Sequence, residues 1–386
     1  MSPAEGTSNA AVLIAAIEAL HMRLGRVEEK ADGTQEVLLV RVTTDTGLVG
    51  HGEAVSNATV ARSIVAAPRS APFRHGLAVS LIGADALDPE ARWLDMYNAT
   101  RWYGRRGAAI HAMAAVDTAL WDIVGQSRGL ACHALWGTRR RRIPAYASVL
   151  FPETPGEGAR LAESLAARDF TAIKFGWGRF GRDRSWDLEM LAEIREAVGH
   201  EVAVMVDAGR IWSVQEAVIR APELFERFDI LWLEEPLHED DLEGYGQLAQ
   251  VLNGLHPGAR VAAGETEERE SDFAGLIERG VKVIQPDVGR AGGLTVCRRL
   301  STLAHRRAVW CLPHCFGTGV NLAASAQWMA SAEDAPFMEY PVTPSPLRNE
   351  LVTGLPQMVD GMVEVGDAPG LGIRLDPAVI ARYRVD

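Results

Sequence analysis

From about Arg140 onward, short apolar segments alternate with amphipathic helical segments, which leaves few possible folds. The apolar segments are IPAYASV, FTAIKF, EVAVMVD, DILWLEE, ARVAAGE, VKVIQPD, RAVWCLPH and APFMEY. Helical stretches such as WDLEMLAEIREAVG separate them, a pattern typical of βα units and a parallel sheet. Eight strands, spaced about 20 to 35 residues apart, match a (β/α)8 barrel. A doubly wound open sheet is the alternative, but it usually has a Gly-rich first turn, which this sequence lacks.

The first third of the chain has a different pattern. The segment QEVLLVRVTTDTGLVGHGEA predicts two strands joined by a tight turn at Asp45-Thr46-Gly47, and AVLIAAIEAL predicts the first strand of a domain. A helix is predicted over AIHAMAAVDTALWDIVGQSRG, with Gly125 and Gly129 as stop signals. Its predicted apolar face consists of Met113, Val116, Leu120, Ile123 and Val124. The overall prediction is an α/β protein with an α+β domain over residues 1–139, a barrel over 140–350 and a C-terminal segment over 351–386 that returns to the first domain.

Composition and charge exclude several classes of partner. The 386 residues are 47% hydrophobic, enough to fill a substantial core, and the net charge of -12 disfavours binding to nucleic acid. The basic run Arg139–Arg142 has no interleaved aromatic residues and is predicted to be a solvated linker. The apolar N-terminal stretch lacks a basic region and is too short for a membrane span. The four cysteines show no CxxC pair, which predicts reduced thiols, a cytoplasmic protein and no zinc site.

Carboxylates stand at the ends of three consecutive predicted strands. Asp207 ends VAVMVD, Glu234 ends ILWLE and Glu265 ends VAAGE. Active sites of barrels lie at the carboxyl ends of the strands, and three oxygen anions suit a hard cation, above all Mg2+. A single acid at such a place is more often a helix N-cap, but three in succession favour a metal site. Glu235, which points to the other side of its strand, is expected either to be structural or to support the metal ligands from behind.

The next strands end in residues suited to proton transfer. Asp287 ends VIQPD and His314 ends AVWCLPH, so a carboxylate could fix the imidazole tautomer and leave the other ring nitrogen as a general base. Glu339 supplies an acid from the eighth strand. Lys174 occupies the last inward side-chain position of FTAIKF, where a surface lysine is not expected, and the next position on the same side is Gly176.

The strand-end residues, taken in chain order, resemble those of the enolase superfamily, specifically its mandelate racemase subgroup. The residues that carry the resemblance are Lys174, Asp207, Glu234, Glu265, Asp287, His314 and Glu339, with ALWDIVG upstream and PGLGI near the end. The likeness covers nearly the whole chain, and it implies a modified TIM barrel with an N-terminal capping domain.

The resemblance also implies a role for each site residue. Asp207, Glu234 and Glu265 are then the Mg2+ ligands, and His314 with Asp287 forms a His–Asp dyad. Glu339 matches the acid that hydrogen-bonds the substrate carboxylate as it becomes an enediolate, and Lys174 matches the first lysine of a second-strand KxK motif, which helps to neutralise that carboxylate.

The chain departs from the subgroup at two positions. Gly176 replaces the second lysine of KxK, which is a base in the racemases, and Gly209 replaces an asparagine that many members have. The departure at Gly209 puts a polar contact in doubt, which the neighbouring Arg210 could replace. Racemisation needs an acid or base on both faces of the enolate, whereas a single base on one face suffices for elimination of water. The expected activity is therefore that of an acid-sugar dehydratase, a carbon–oxygen lyase acting on an aldonic or aldaric acid.

Other activities remain open at this point. A racemase or epimerase could use Arg210 or a group from the capping domain, and a non-catalytic homologue could bind a carboxylate. A muconate-type cycloisomerase would need a lysine where Asp287 stands, and a metal-dependent hydrolase would need an HxH pair in the first strand.

Several substrate contacts and the assembly state are also expected. Trp177 and Arg179 are predicted to lie near the site. Their presence would be consistent with an open-chain polyol substrate that carries a second anionic group. The cap loops over residues 21–25 and 50–57 are expected to set specificity, with His51 either a substrate contact or a hairpin residue. The resemblance further implies a homo-oligomer.

Overall fold

The computed structural model describes residues 11–28, 33–333 and 335–385. Residues 1–10, which include the start of the apolar N-terminal stretch, lie outside that part. The N-terminal region pairs a three-stranded antiparallel sheet, in the order β1-β2-β3, with helices. Its elements are β1 Ile14–Arg23, β2 Glu36–Thr44, β3 Val49–Ala54, α1 Ala58–Ala66, α2 Leu77–Leu81, α3 Pro89–Thr100, α4 Ala108–Arg128 and α5 Cys132–Trp136, with a 3-10 turn at Gly33–Gln35. The predicted first strand and the predicted strand pair around Asp45 are confirmed.

Helix α4 is the central element of this region. It packs against β3, and nearly every residue from Ala109 to Gly125 is buried. By length and composition it could span a membrane, but 89% of its apolar window is buried inside the protein, as in a core helix. The prediction that Gly125 stops the helix is wrong, because the helix runs on to Arg128 and Gly129 ends it at φ 64°. Gly125 instead allows close packing, since a Cβ there would lie 2.5 Å from Gly370 Cα.

The predicted barrel strands are all present, and helices alternate with them. The elements are β4 Arg142–Leu150, α6 Pro155–Ala166, β5 Ala172–Gly176, α7 Arg184–Val198, β6 Ala203–Asp207, α8 Val214–Phe228, β7 Leu233–Glu234, α9 Leu242–Leu255, β8 Val261–Ala263, α10 Glu270–Glu278, β9 Val283–Ile284, α11 Leu294–Arg306, β10 Trp310–Cys311, α12 Gly319–Ser331 and β11 Met338–Pro341. Each strand from β4 to β9 pairs in parallel with the strand that follows it, and β11 pairs in parallel with β4. Their carboxyl ends therefore meet at one rim.

The chain after the barrel returns to the N-terminal region. It contains α13 Pro346–Asn349, β12 Val352–Thr353, β13 Gln357–Val359, β14 Met362–Glu364, β15 Arg374–Leu375 and α14 Pro377–Tyr383. Strand β14 pairs antiparallel with the start of β4, and the Val385 N–H donates to the His21 carbonyl on β1.

Three arginines of the basic run that joins α5 to the start of β4 are ion-paired. Arg139 contacts Glu333, Arg141 contacts Asp367, and Arg142 Nε lies 3.1 Å from a carboxylate oxygen of Glu364. The guanidinium groups stay largely exposed. These arginines thus connect the linker to the barrel and to the C-terminal segment.

Candidate active site

A cavity of about 700 Å3 opens at the carboxyl ends of the barrel strands. Its floor contains residues from the strand ends, and its mouth contains residues from the N-terminal region. The residues of the N-terminal region that line it are Val55, Arg106, Gly107 and His111. Of the residues predicted for the site, Lys174, Asp207, Glu265, His314 and Glu339 line the same cavity.

The three strand-end carboxylates converge at the floor of this cavity. Asp207 ends β6 and pairs in register with Glu234, which ends β7. Glu265 follows β8 after Gly264, whose φ of +125° turns the chain toward its neighbours. One ligand oxygen from each of the three residues lies within 4.8 Å of the other two, and all three side chains are buried.

The electrostatics of this group fit a divalent cation. Burial and the neighbouring Glu234 raise the pKa of Asp207 to about 8, because a second or third anion is costly in a dry pocket. The pKa of Glu265 is lowered, since His314 and then Arg290 outweigh the opposing effect of burial. Oxygen ligands without sulfur or nitrogen suit a hard cation, so Asp207, Glu234 and Glu265 could hold one such as Mg2+.

Glu234 is fixed by donors on both of its oxygens. Lys174 Nζ lies 2.5 Å from Oε1, while Trp232 Nε1 and Gln285 Nε2 donate to Oε2 over 3.0 and 2.7 Å. Sequence reasoning missed Trp232 and Gln285. Each stands two residues before a site residue in the predicted strand segments DILWLEE and VKVIQPD. Side chains at i and i+2 of a strand share a face, so the strand period alone could have identified them.

Lys174 and Glu339 form a buried ion pair beside the carboxylates. Lys174 Nζ lies 2.8 Å from Glu339 Oε1, and the Cys315 N–H donates to Glu339 Oε2 over 2.6 Å. Burial lowers the pKa of Lys174, but Glu234 and Glu339 outweigh it and hold the pKa well above its ordinary value. The lysine is only 3% exposed, so its charge acts within the cavity floor.

Asp287 and His314 stand side by side at the ends of neighbouring strands. Each lies three residues beyond the end of β9 or β10, and an isolated parallel bridge joins their backbones. His314 Nδ1 lies 2.7 Å from Asp287 Oδ2, while Nε2 faces Glu265 Oε2 at 3.3 Å. Burial lowers the pKa of His314, but Glu265 and Asp287 raise it to about 9. With Nδ1–H donated to Asp287, Nε2 is the nitrogen that faces the cavity.

On the β5–β6 side of the cavity, the position after Lys174 on the same face of β5 belongs to Gly176, which has no side chain. A Cβ on Gly176 would lie 2.9 Å from both Cβ and Oδ2 of Asp207, so this position has no room for a side chain while Asp207 keeps its place. Beyond it, Trp177 and Arg210 adopt φ values of 59° and 63°, and the Arg210 guanidinium lies 5.1 Å from the Trp177 ring centroid. Such backbone conformations are costly for non-glycine residues and recur at functional sites.

The domain matches decide the family. Residues 16–137 match the mandelate racemase / muconate lactonizing enzyme N-terminal domain, and residues 157–379 match the enolase C-terminal domain-like family. The chain belongs to the mandelate racemase / muconate lactonizing enzyme family.

Curated members of the family include sugar-acid enzymes. The chain is 32% identical to D-galactarolactone cycloisomerase of Agrobacterium fabrum over 362 residues, covering 90% of this chain and 91% of the relative. It is 30% identical to L-rhamnonate dehydratase of Saccharopolyspora erythraea over 357 residues, covering 90% of this chain and 85% of the relative.

Solved structures of the family share the whole fold. A predicted mandelate racemase from Rhodobacter sphaeroides is 30% identical with a TM-score of 0.89, covering 97% of this chain and 96% of that one. A racemase from Streptomyces coelicolor A3(2), solved with bound magnesium, is 27% identical with a TM-score of 0.84, covering 97% of this chain and 100% of that one. The predicted enolase-superfamily fold, a TIM barrel with a capping domain, is confirmed.

The structure confirms some of the surroundings predicted for the site from this sequence and places others elsewhere. Trp177 lines the cavity, but Arg179 does not; its guanidinium is half exposed and lies 3.1 Å from Asp183. Glu235 lies outside the carboxylate set, with Oε2 3.5 Å from Arg210 Nε. Of the two predicted cap loops, residues 50–57 supply Val55, whereas residues 21–25 supply no lining residue. His51 lies on the hairpin outside this cavity, 3.7 Å from Asp122.

The segment before α4 supplies the cap contacts that the sequence interpretation missed. The Gly107 N–H donates to Glu268 over 2.6 Å, and His111 Nε2 lies 3.1 Å from the same carboxylate. Arg290, three residues after Asp287, was also missed; its Nη1 lies 3.6 Å from Glu265 Oε1. Because α4 was interpreted as a core helix, no local pattern indicated that its first turn lies at the cavity mouth.

Proposed function

We propose that the protein is a Mg2+-dependent dehydratase of an acid sugar, an aldonic or aldaric acid, giving a 2-keto-3-deoxy acid. The observation that carries the proposal is the one-sided arrangement of the cavity. A histidine oriented by a carboxylate stands on the β9–β10 side, the carboxylate cluster lies beside it, and Gly176 faces them with no room for a base.

In this proposal Asp207, Glu234 and Glu265 hold the cation. Mg2+ bound there would draw electron density from the substrate carboxylate and so acidify the proton on the α-carbon. Lys174 and Glu339 would contact the same carboxylate, the lysine balancing negative charge as it grows and the glutamate, in its protonated form, donating a hydrogen bond to it.

Proton transfer in this proposal falls to the dyad. His314 Nε2 removes the α-proton, and Asp287 keeps Nδ1 protonated and the ring in place. The electron pair left on the α-carbon forms the enediolate and then expels the β-hydroxyl, to which protonated His314 returns its proton. Water leaves, and the enol product becomes the 2-keto acid. One imidazole thus removes the α-proton and protonates the leaving hydroxyl, so the reaction needs an acid–base group on one side of the substrate only.

The relatives support a carboxylate substrate. L-rhamnonate dehydratase at 30% identity fits an aldonic acid, and another similar solved structure, from Bordetella bronchiseptica RB50 at 26% identity, was determined with 2-oxoglutarate and phosphate. The four buried, unpaired cysteines fit the reducing cytoplasm.

A sugar-acid cycloisomerase is the second candidate, favoured by the 32% identity to D-galactarolactone cycloisomerase. It would use the same proton abstraction, but the group expelled from the β-carbon would be a ring oxygen. A racemase is disfavoured, because Arg210 carries a guanidinium that does not give up its proton in proteins and that lies within 4 Å of Glu235 and Glu265.

The test is a screen of the purified protein with Mg2+ against aldonic acids, aldaric acids and their lactones. Formation of 2-keto acid would be followed by semicarbazide absorbance, and every compound would also be incubated in D2O and recovered for NMR. We expect 2-keto acid from an open-chain acid, and its loss on addition of EDTA. Deuterium in recovered substrate of inverted configuration would instead identify a racemase, and turnover of lactones alone would identify a cycloisomerase.

A further inference from the structure

The capping domain contributes a carboxylate directly behind the dyad. Glu53 lies on β3, is 3% exposed, and belongs to no predicted site. Its Oε1 accepts a hydrogen bond from the Thr318 N–H over 2.9 Å, and its Oε2 accepts one from the Asn321 N–H over 3.1 Å and contacts the Thr318 hydroxyl. All of these donors belong to the first turn of α12, the helix that follows the strand carrying His314.

Glu53 therefore caps a barrel helix from another region of the chain. Thr318 is the N-cap residue of α12 and Asn321 is the third residue of the helix, so Glu53 satisfies two backbone donors that have no partner within the helix. A negative charge at a helix N-terminus is also favourable for the helix dipole. The packing is tight, since a Cβ on Gly317 would lie 2.4 Å from Glu53 Oε1.

The same turn of α12 holds the dyad carboxylate. The side-chain Nδ2 of Asn321 donates to Asp287 Oδ1 over 2.8 Å, while the other oxygen of Asp287 contacts His314 Nδ1. The backbone N–H of Asn321 is the group that Glu53 holds. Glu53 is thus connected to the imidazole through Asn321 and Asp287, each link being a hydrogen bond between buried groups.

The second donor to Asp287 Oδ1 is also supported by β3 and the residue that follows it. The Gly289 N–H donates to this oxygen over 2.6 Å. The Gly289 carbonyl in turn accepts the Val55 N–H over 3.2 Å, and a Cβ on Gly289 would lie 2.7 Å from Val55 Cγ2 and 3.1 Å from the Glu53 carbonyl oxygen. Both donors that fix Asp287 Oδ1 therefore rest on residues 53–55 of the capping domain.

We propose that Glu53 is a positioning residue for the His314–Asp287 dyad, acting through Asn321. The inference rests on the proposed function in that it assigns the dyad the role of base. Glu53 does not line the cavity, so it acts on the orientation of Asp287 and of the imidazole and not on the substrate. The alternative is that Glu53 only stabilises the contact between the two domains.

Asp122 offers a matched control for that alternative. It is another buried carboxylate of the capping domain that accepts two backbone N–H groups, from His51 over 3.1 Å and from Leu371 over 2.9 Å. Neither partner contacts the dyad. Asp122→Asn should therefore reproduce a loss of stability without affecting His314.

The first test needs no substrate. In the full-length, Mg2+-loaded protein labelled with 15N-histidine, the Nδ1–H proton of His314 should give a downfield resonance, identified by its loss in His314→Asn. We expect this resonance to shift or to vanish by solvent exchange in Glu53→Gln and in Asn321→Ala, and to keep its position in Asp122→Asn. Because Asn321→Ala keeps the backbone contact to Glu53, it tests the link from Asn321 to Asp287 by itself. If Glu53→Gln does not fold, Glu53→Asp, which keeps the carboxylate but shortens its reach to the Asn321 N–H, takes its place with the same expected shift.

Three results would overturn the proposal. These are an unchanged resonance in Asn321→Ala or in folded Glu53→Gln, an equal shift in Asp122→Asn, and the lack of such a resonance in the unmodified protein. On an acid that the screen identifies, Glu53→Gln should also lower kcat about tenfold with KM little changed, as for partners that orient a catalytic ligand. If His314→Asn exchanges the α-proton as fast as the unmodified protein, the proposed function fails, while the resonance comparison still decides the role of Glu53.

Discussion

The β9–β10 side of the cavity and the β5–β6 side differ in what lies behind the residues that face the substrate space. On the first side, His314 is backed by Asp287, and Asp287 by Asn321 and Gly289, both held by the capping domain. On the second side, Gly176 carries no side chain and Asp207 fills the adjacent space. The difference is the one expected if, as proposed, chemistry on the substrate proceeds from the β9–β10 side and the opposite side serves the metal.

Replacement of the imidazole should have the largest effect. His314→Asn removes the nitrogen that faces the cavity, and general bases contribute about 10^2- to 10^4-fold to rate. We expect α-proton exchange in D2O, measured by NMR on an acid from the screen, to fall by about 10^3-fold. Mg2+ binding by calorimetry should persist.

His51→Asn is the control for that change, because His51 lies outside the cavity on the cap hairpin. Its exchange rate should match that of the unmodified protein. Retention of full exchange by His314→Asn would mean that the β9–β10 side does not supply the base, and the comparison between the two sides would fail.

Lys174→Met tests the charge balance on the β5–β6 side. Lys174 Nζ lies within 3 Å of Glu234 and Glu339, and both carboxylates are buried. Removal of one partner from a buried ion pair typically costs about 3–5 kcal/mol because it leaves an uncompensated charge. Urea unfolding should show a loss of that order. Lys282→Met is a control, since Lys282 Nζ bonds only to uncharged oxygens near the surface.

An unchanged free energy of unfolding in Lys174→Met would show that the buried carboxylates take up protons when the lysine is lost. In that case Lys174 would be needed for function and not for stability. Its role would then be tested by measuring the KM of the Lys174→Met variant for the acid substrate.

Gly176→Ala tests whether the β5–β6 side of the cavity needs an empty position at residue 176 to bind the metal. The new Cβ would approach Asp207 Oδ2 to 2.9 Å, so Asp207 must shift. We expect the Kd for Mg2+ to rise about tenfold, within the range found when the support of a metal ligand is disturbed. Gly156→Ala is a control, because the nearest atom to its Cβ would be 3.5 Å away. Unaltered Mg2+ affinity in Gly176→Ala would show that the gap could accommodate a side chain.

The sequence was sufficient for the barrel and for most of the cavity floor. Barrel strands alternate with amphipathic helices, and strand ends in a parallel barrel must meet, so Asp207, Glu234 and His314 could be grouped without coordinates. Contacts between the capping domain and the barrel could not be predicted from the strand and helix pattern. Glu53, His111 and Arg290 depend on how the cap docks, which no local periodicity encodes.

The error at Gly125 has the same origin. A glycine in a helix is locally a stop signal, but this one lies inside α4 where Gly370 of the C-terminal segment packs so closely that a Cβ would lie 2.5 Å from Gly370 Cα. The misplacement of Arg179 is similar, because the turn after β5 directs Trp177 into the cavity and leaves the arginine beside Asp183.

Asp117 gives the smallest expected effect, and it concerns the support of the β9–β10 side. This residue of α4 accepts hydrogen bonds from Thr295 N over 2.9 Å and from Thr295 Oγ1 over 2.6 Å. Thr295 lies in the first turn of α11, the helix that follows β9 and Asp287. Burial raises the pKa of Asp117 to about 7, although the bonds from Thr295 oppose the shift. A carboxyl with a raised pKa binds its proton more tightly in the folded state than in the unfolded state.

The contribution of Asp117 to stability should therefore be largest below about pH 4, where both states are protonated, and should fall as the pH rises toward 7. Asp117→Asn keeps an acceptor for Thr295 but cannot ionise, so the free energy of unfolding should decline less between pH 5 and 8 than in the unmodified protein, by about 1–2 kcal/mol. Urea titrations at the two pH values would measure this. Equal declines in the two proteins would mean that Asp117 is ionised throughout this pH range and caps α11 with a full negative charge from the capping domain.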